Sequence, residues 1–138
     1  MKKYFAAAVL LAGAVACGRQ DLPLEGTTWK LASMPGIPAE AIAREADSFT
    51  LEFNAADTMV FGRTNCNRFF GGYEVDGRDL DLGDLGMTRM ACPEMEYEDV
   101  FVRMLDEVER YEIRGDELIL YDDLKQLATF RPAPAGVE

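Results

Sequence analysis

Hydrophobic and polar positions alternate along much of the region 25–131, which is the pattern of half-buried β-strands. This alternation predicts a strand over 27–31 and a hairpin that pairs 49–53 with 58–61. At most one short helical turn is predicted, around 40–44, inside a segment that proline and glycine interrupt. The pattern therefore indicates a chain built mainly of short strands.

The Asp-Gly pair at 76–77 is the clearest turn signal, because it suits the positive φ angles of a two-residue type I′ turn. Such a turn places Val75 opposite Arg78 and Glu74 opposite Asp79. The second pair joins like charges, which a sheet tolerates on a solvent-exposed face. This hairpin is expected to bury its apolar face and to expose its acidic one.

One strong helix is predicted, over 93–109. Pro93 suits its first position, and acidic residues lie near the positive end of its dipole. Its apolar residues follow the spacing of a single stripe: Tyr97, Val100, Phe101, Met104, Leu105 and Val108.

A second hairpin follows, and its Gly-Asp turn at 115–116 places Arg114 opposite Glu117, an opposite-charge pair that supports this register. A last strand is predicted over about 125–130. The total is about eight strands, with the helix between the fifth and the sixth. The predicted fold is mainly β (α+β): a small antiparallel sheet that curls into a barrel and leaves no exposed edge.

The composition narrows the classes of function. The 138 residues include 25 Asp and Glu against 14 Lys and Arg, which gives a net charge of −11 and argues against nucleic-acid binding. There is no histidine, which excludes Ser-His-Asp and Cys-His catalysis as well as histidine-ligated metals. We expect a protein that is not an enzyme and that carries neither a cofactor nor a metal.

The N-terminus has the basic head and short apolar core of an export signal, predicted over 1–16. Its last residues, Ala14-Val15-Ala16 before Cys17, resemble a bacterial lipobox, which implies a lipid on Cys17 and membrane attachment through it. Gly18 is not the Asp that usually retains such proteins in the inner membrane, so we expect the outer membrane, facing the periplasm. Plain secretion with a free Cys17 thiol, and a retained apolar anchor, are the alternatives.

Four segments are expected along the chain. The signal peptide is followed by a tether over 17–24, a single domain over 25–131 and a flexible tail over 132–138.

Two blocks of the sequence resemble the META domain family, to which the heat-shock protein HslJ belongs. The first block, Gly62 to Tyr73, is similar to the family's Gly-Cys-Asn-x-Phe-x-Gly-x-Tyr signature, although Asn65 replaces its usual Gly. The second, Met87 to Glu94, is similar to its Thr-x-Met-Ala-Cys-Pro block. The signature residues are Trp29, Asn65, Cys66, Asn67, Phe69, Gly71, Tyr73, Thr88, Met90, Cys92 and Pro93.

The resemblance implies a mainly β fold of calycin-like appearance with one helix across it. It also links the protein to envelope stress, heat induction and tolerance of novobiocin-type antibiotics. It specifies no reaction.

With Cys17 assigned to lipid, Cys66 and Cys92 remain in an oxidising compartment and are predicted to form a disulfide. The alternative is two buried free thiols.

Two polar clusters suggest binding sites. Arginine and turn amides suit an anion or a peptide end, although asparagines in such a turn more often serve local hydrogen bonds. The residues concerned are Thr64, Asn65, Asn67, Arg68 and Arg89. A set of four aspartates invites a calcium interpretation, but it lacks the EF-hand Gly and Glu, so a solvated strand face is expected. These are Asp76, Asp79, Asp81 and Asp84.

Methionines and aromatic residues are assigned to the core rather than to a metal site or a ligand cavity. The methionines are Met87, Met90, Met95 and Met104. The aromatic residues are Trp29, Phe49, Phe53, Phe61, Phe69, Phe70, Tyr73, Phe101 and Phe130.

The sequence therefore favours a lipid-anchored, stress-protective or interaction protein whose partner is an envelope protein or a small molecule. The alternatives are a ligand carrier with a barrel cavity, a protease inhibitor, and an enzyme that uses acidic residues.

Overall fold

The computed structural model describes residues 20–134, so the signal peptide, Cys17 and the end of the tail lie outside the described residues. In chain order the elements are β1 Thr28–Ser33, α1 Ala39–Ala43, β2 Thr50–Asn54, β3 Met59–Arg63, β4 Arg68–Asp76, β5 Asp79–Leu82, β6 Gly86–Met87, α2 Met95–Glu107, β7 Arg110–Arg114, β8 Glu117–Tyr121 and β9 Gln126–Pro132.

The strands form one antiparallel sheet that closes on itself. Hydrogen bonds connect them in the order β3-β2-β1-β9-β8-β7-β5-β4, and β4 pairs with β3 to complete the ring. The mainly β, barrel-like prediction is therefore confirmed. The short strand β6 was not predicted; it pairs with β4 beyond the end of β5 and makes nine strands in all.

Alternation explains which side chains fill the barrel. In β2, Leu51 and Phe53 face the interior, while Thr50 and Glu52 lie on the other face. The largest wholly buried side chains are Trp29, Phe49, Phe53, Phe69, Phe101, Phe130, Leu31, Leu51, Leu80, Leu105, Leu118 and Leu120.

The helix α2 adds its apolar face to this core. The Phe101 ring lies 5.4 Å from that of Phe49, 6.0 Å from Phe69 and 6.3 Å from Phe130, between ring centroids. The predicted position of Pro93 is wrong, because the helix begins only at Met95.

The late start of α2 follows from the conformation of Glu94. This residue is left-handed, with φ 63°. Its carboxylate pairs with Arg44, and its carbonyl accepts a hydrogen bond from Asn65 Nδ2. These contacts hold the backbone before the helix in a non-helical shape.

The first predicted hairpin exists, but with another register. Asp76 lies opposite Asp79, and the turn consists of Gly77 and Arg78. Gly77, with φ 60°, supplies the positive angle at the first turn position, which glycine adopts without steric cost. The same side chains still share each face, because the register differs by two residues. The second hairpin pairs Arg114 with Glu117, as predicted.

Both ends of the domain extend into the segments predicted as loose. Near the start, Gly115 N donates to Asp21 Oδ1, and Leu24 is buried below the indole of Trp29, which donates to its carbonyl. At the other end, Pro132 belongs to β9, and Ala133 N donates to the carbonyl of Thr28. The described ends of the tether and the tail are therefore attached to the barrel.

Candidate functional site

The first signature block forms a tight turn between β3 and β4, organised by one hydroxyl group. Thr64 Oγ1 accepts hydrogen bonds from the backbone N–H groups of Cys66 and Asn67, at 3.0 and 2.8 Å. Thr64 is fully buried, so these bonds satisfy donors that water does not reach.

Asn67 joins this turn to the second signature block. Its Nδ2 donates to the carbonyl of Met90 at 3.1 Å, and its Oδ1 accepts from Met90 N at 2.7 Å. The hydroxyl of Thr88 donates to the same Oδ1 at 2.9 Å. The Asn67 amide thus bonds both the N–H and the carbonyl of Met90, as the backbone of a neighbouring strand would do.

A buried carboxylate completes the network. Glu98 of α2 is only 5% exposed, and its Oε1 accepts from Thr64 Oγ1 at 2.7 Å and from Asn67 Nδ2 at 2.9 Å. The sequence analysis missed Glu98. Its signal was a charged residue three positions before Phe101, within the apolar face of the helix.

The two blocks are also covalently joined. Cys66 and Cys92 form the predicted disulfide, with their Cα atoms 5.9 Å apart. Cys66 is buried at 3% exposure. The bridge connects the turn to the segment that leads into α2.

These contacts decide the role of the predicted anion cluster. Thr64 and Asn67 are bonded to groups of the protein itself, and Asn65 Nδ2 is bonded to the Glu94 carbonyl. Arg68 instead lies on the outer face of β4, and Arg89 is exposed after β6. The asparagines therefore bond within the protein, as expected, but to the second signature block and α2 rather than within their own turn, which Thr64 holds.

The structure also locates the predicted aspartate cluster and the methionines. The acidic residues of the β4–β5 hairpin are exposed, and within residues 20–134 no group of acidic, cysteine or histidine side chains could hold a metal ion. Among the methionines, Met104 is buried, whereas Met90 is 58% exposed and was wrongly assigned to the core.

A second correction identifies the candidate binding surface. Phe61 and Phe70 were assigned to the core, yet they are 38% and 54% exposed. Phe61 lies opposite Phe70 in the β3–β4 pairing. Phe69 and Phe70 are adjacent in one strand, so only one of them can face inward, and it is Phe69.

These rings border a groove of about 390 Å³ on the outside of the barrel, here called the outer groove. The residues that line it are Thr28, Thr50, Glu52, Phe61, Gly62, Arg63, Arg68, Phe69 and Phe70.

Two glycines keep the outer groove in shape. A Cβ at Gly62 would lie 2.0 Å from the carbonyl oxygen of Thr50, and one at Gly86 would lie 2.8 Å from the Phe70 ring. The Phe70 ring therefore rests on Gly86, and β3 approaches β2 closely below the groove.

Basic side chains cross the same face of the sheet in a row. Cross-strand pairing links five residues, one from each of β9, β1, β2, β3 and β4, and four of them are basic. This basic row consists of Arg131, Lys30, Thr50, Arg63 and Arg68. It contains no acidic residue, in a chain whose net charge is −11.

The residues of the basic row differ in whether they are already ion-paired and so in whether they could bind a ligand. Arg131 is paired with Asp116 and Glu117. Arg63 is paired with Asp47 through Nη1, but its Nε is buried without an acceptor in the described chain. Arg68 is exposed and makes no ion pair within residues 20–134.

Lys30 is directed towards the loop before β2. Its Nζ donates to the carbonyls of Glu45 and Ser48 and to the Ser48 hydroxyl. Burial lowers the pKa of Lys30 to about 8, although the nearby Asp47 and Glu45 carboxylates act in the opposite direction. Lys30 therefore serves the loop rather than the groove.

A separate cleft of about 630 Å³ lies at Glu25, Thr58 and Tyr73. The Tyr73 hydroxyl donates to the Glu25 carboxylate, and burial, together with this bond, raises the pKa of Tyr73. This contact fastens the segment before β1 to β4.

The fold and these surfaces define a small, closed, antiparallel β-barrel with a filled interior and its available aromatic and basic residues on the outside. The META domain family model matches residues 22–134, and the chain belongs to this family. No curated protein matches the sequence.

Solved structures support the fold. A protein from Burkholderia xenovorans, determined by NMR, is 25% identical with a TM-score of 0.62, over 80% of this chain and 83% of that one. A second NMR structure is 26% identical with a TM-score of 0.60, over 79% and 91%. A DUF4847 family protein from Bacteroides vulgatus is 19% identical with a TM-score of 0.57, over 78% and 93%, and shares the fold.

In the part of the chain that the structure describes, no helix has both the length and the apolar character needed to cross a membrane.

Proposed function

We propose that this META-domain protein is a non-enzymatic interaction protein of the cell envelope, anchored by lipid on Cys17, which binds a partner protein in the outer groove. The observation that carries the proposal is the exposed pair Phe61 and Phe70 beside Arg68, which makes no ion pair within the described residues 20–134. Aromatic side chains and arginine are enriched where protein interfaces have their strongest contacts.

The filled interior supports a role for the outside. Trp29, Phe53 and Phe101 are wholly buried inside the barrel, so an interior ligand would have to displace them. A carrier would instead need a preformed cavity. The packing therefore favours the interaction protein over the ligand carrier.

The attachment of Asp21 to the barrel limits the distance between the domain and the proposed anchor. Asp21 is already bonded to Gly115 of the barrel. The four residue steps from Cys17 to Asp21 span at most about 14 Å. A lipid on Cys17 would therefore hold the domain close to the membrane surface, where envelope proteins are its available partners.

The anchor is tested by mass spectrometry of the mature N-terminus. We expect a lipidated Cys17 and release of the Cys17→Ser variant from the membrane. An unmodified thiol in a mature protein that is not attached to the membrane would refute this part of the proposal.

The groove is tested by photo-crosslinking in intact cells. A benzoylphenylalanine at position 70 is expected to capture one identified protein, and the same residue at position 124 is the control, because Leu124 is 87% exposed outside the groove. Arg68→Glu should abolish capture from position 70. Capture that is equal at both positions, or unaffected by Arg68→Glu, would contradict the proposed function.

A further inference from the structure

We propose that the outer groove binds an extended acidic peptide segment, in which an apolar side chain and a carboxylate stand two residues apart. This inference rests on the proposed function and specifies the chemistry of its partner. It is carried by the arrangement of two cross-strand pairs, Phe61 with Phe70 and Arg63 with Arg68.

The spacing of the two pairs defines the spacing of the ligand. Phe61 and Arg63 are two residues apart in β3, as are Arg68 and Phe70 in β4, and a strand rises about 3.3 Å per residue. The aromatic pair and the arginine pair are therefore about 6.6 Å apart along the strands. An extended peptide has the same distance between side chains i and i+2, so one segment can contact both pairs.

The arginine pair offers one guanidinium group that is available to a ligand. Arg68 is exposed and has no carboxylate within ion-pairing distance in the described chain, so its guanidinium can donate charge-assisted hydrogen bonds to a ligand carboxylate. Arg63 lies opposite Arg68 and adds positive charge, but it is already paired with Asp47 and its unpartnered Nε is buried below the surface. Arg131 is likewise paired with two acidic residues, so Arg68 carries the uncompensated positive charge of the basic row at the groove. That charge favours an anionic group there although the whole chain is acidic.

The aromatic pair offers a partly covered apolar surface. Phe70 rests on Gly86, and both rings border the groove of about 390 Å³ instead of standing away from the barrel. A single apolar side chain suits such a site. A hydrophobic or aromatic residue two positions from the carboxylate would therefore lie over Phe61 and Phe70.

A peptide fits these observations better than an anionic membrane does. The Glu52 carboxylate lines the groove opposite Phe61, at the aromatic end, whereas the uncharged Thr50 lies opposite Arg63 at the arginine end. A single peptide carboxylate can lie at the arginine end, away from Glu52, but a plane of anionic head groups would meet Glu52 as well. A membrane plane would also face the net charge of −11, whereas a short peptide senses mainly charges within a screening length of about 8 Å.

The test uses the full chain in detergent, with its disulfide intact, and four fluorescent peptides measured by anisotropy. The first is Gly-Ser-Phe-Thr-Asp-Ser-Gly, and the others replace its Asp by Asn, its Phe by Ser, or its Asp by Lys. We expect the first peptide to bind and each replacement to weaken binding about tenfold or more. Equal binding of all four would overturn the proposal.

Matched protein variants locate the contact. Arg68→Gln is compared with Arg89→Gln, and Phe70→Ser with Leu124→Ser, since each control alters an exposed residue outside the groove. Only the groove variants should weaken binding, by about tenfold. A loss as large in the controls would overturn the proposal.

A charge exchange keeps the test decisive if a groove variant is destabilised. Arg68→Glu should lose the Asp peptide and gain the Lys peptide, which a merely unfolded variant would not do. Loss of the first without gain of the second would contradict direct pairing with Arg68.

Two further measurements distinguish the sources of failure. The first is binding to vesicles of phosphatidylglycerol and phosphatidylethanolamine. If the vesicles bind in an Arg68-dependent manner and the peptides do not, the ligand of the groove is a membrane surface and the peptide proposal is overturned. Site-specific capture from position 70 without any peptide binding would overturn this inference and leave the proposed function standing. Failure of both capture and peptide binding would refute both.

Discussion

Phe61 and Phe70 lie directly opposite each other on β3 and β4, and both rings stand on the outside of a barrel whose interior is already full. Arg63 and Arg68 repeat this relationship two residues further along the same strands. Two aromatic rings and two guanidinium groups thus form one surface, built by strand alternation alone. This surface presents exposed aromatic and basic side chains to a binding partner.

Phe101 and Phe70 were both assigned to the core from the sequence, but they differ in burial. Phe101 is wholly buried among three aromatic rings, so Phe101→Ala should lower the free energy of unfolding by about 3–5 kcal/mol. Phe70 is 54% exposed, so Phe70→Ala should cost much less, about 1 kcal/mol. Urea unfolding followed by circular dichroism measures both. A loss for Phe101→Ala no larger than about 1 kcal/mol would show that the core does not depend on α2.

The Thr64 hydroxyl is expected to stabilise the signature turn strongly. Thr64→Val leaves the buried N–H groups of Cys66 and Asn67 without their acceptor and should cost about 2–5 kcal/mol. Thr129→Val is the control, because its hydroxyl bonds Ser33 at an exposed position and should cost under about 1 kcal/mol. Similar unfolding midpoints for the two variants would contradict the proposed network.

The disulfide should stabilise the fold by restricting the unfolded chain. Cys66 and Cys92 are 26 positions apart, for which the loop-entropy estimate is about 3–4 kcal/mol. Thiol titration of the denatured, non-reduced protein should find neither cysteine free. The double alanine variant should lose that stability, and an unchanged unfolding midpoint would show that packing alone holds the two blocks together.

The environment of Lys30 predicts a specific pH dependence. Its folded pKa of about 8 lies below the ordinary 10.5, so the unfolded chain binds more protons between these values. This residue's contribution to stability should therefore rise as the pH increases from about 8 to about 10.5. Across this window, the unfolding midpoint of the wild type should rise relative to that of Lys30→Met. The midpoint of Lys125→Met should change with pH in the same way as that of the wild type.

An identical pH profile for Lys30→Met and wild type would mean that Lys30 keeps its ordinary pKa in the folded protein. The hydrogen bonds from Nζ to Glu45 and Ser48 would then outweigh the cost of burial.

Local patterns were sufficient to predict much of the fold. Alternation and turn residues predicted the β2–β3 hairpin and the pairing of Arg114 with Glu117, because these features depend on neighbouring residues. The barrel was inferred from the number of short antiparallel strands. The register of the hairpin at Gly77 could not be predicted in the same way, since registers that differ by two residues bury the same side chains.

The candidate site was harder to predict, for physical reasons. The direction of Phe61 and Phe70 depends on the phase of alternation in strands with apolar residues at successive positions, such as Val60 and Phe69. The basic row requires the pairing of β1 with β9, whose residues Lys30 and Arg131 lie near opposite ends of the domain. The ambiguous phase of alternation hides the first feature, and sequence distance hides the second.

Side-chain footprinting in intact cells tests the central claim most directly. Oxidative labelling of Phe61 and Phe70 is measured relative to the exposed Leu124 and Met90, and the ratios are compared with those of the purified protein. If the outer groove holds a partner in the envelope, labelling of both phenylalanines should fall about fivefold or more in cells while the two reference residues are unchanged. Equal ratios in cells and in purified protein would show that the groove is unoccupied and would contradict the account.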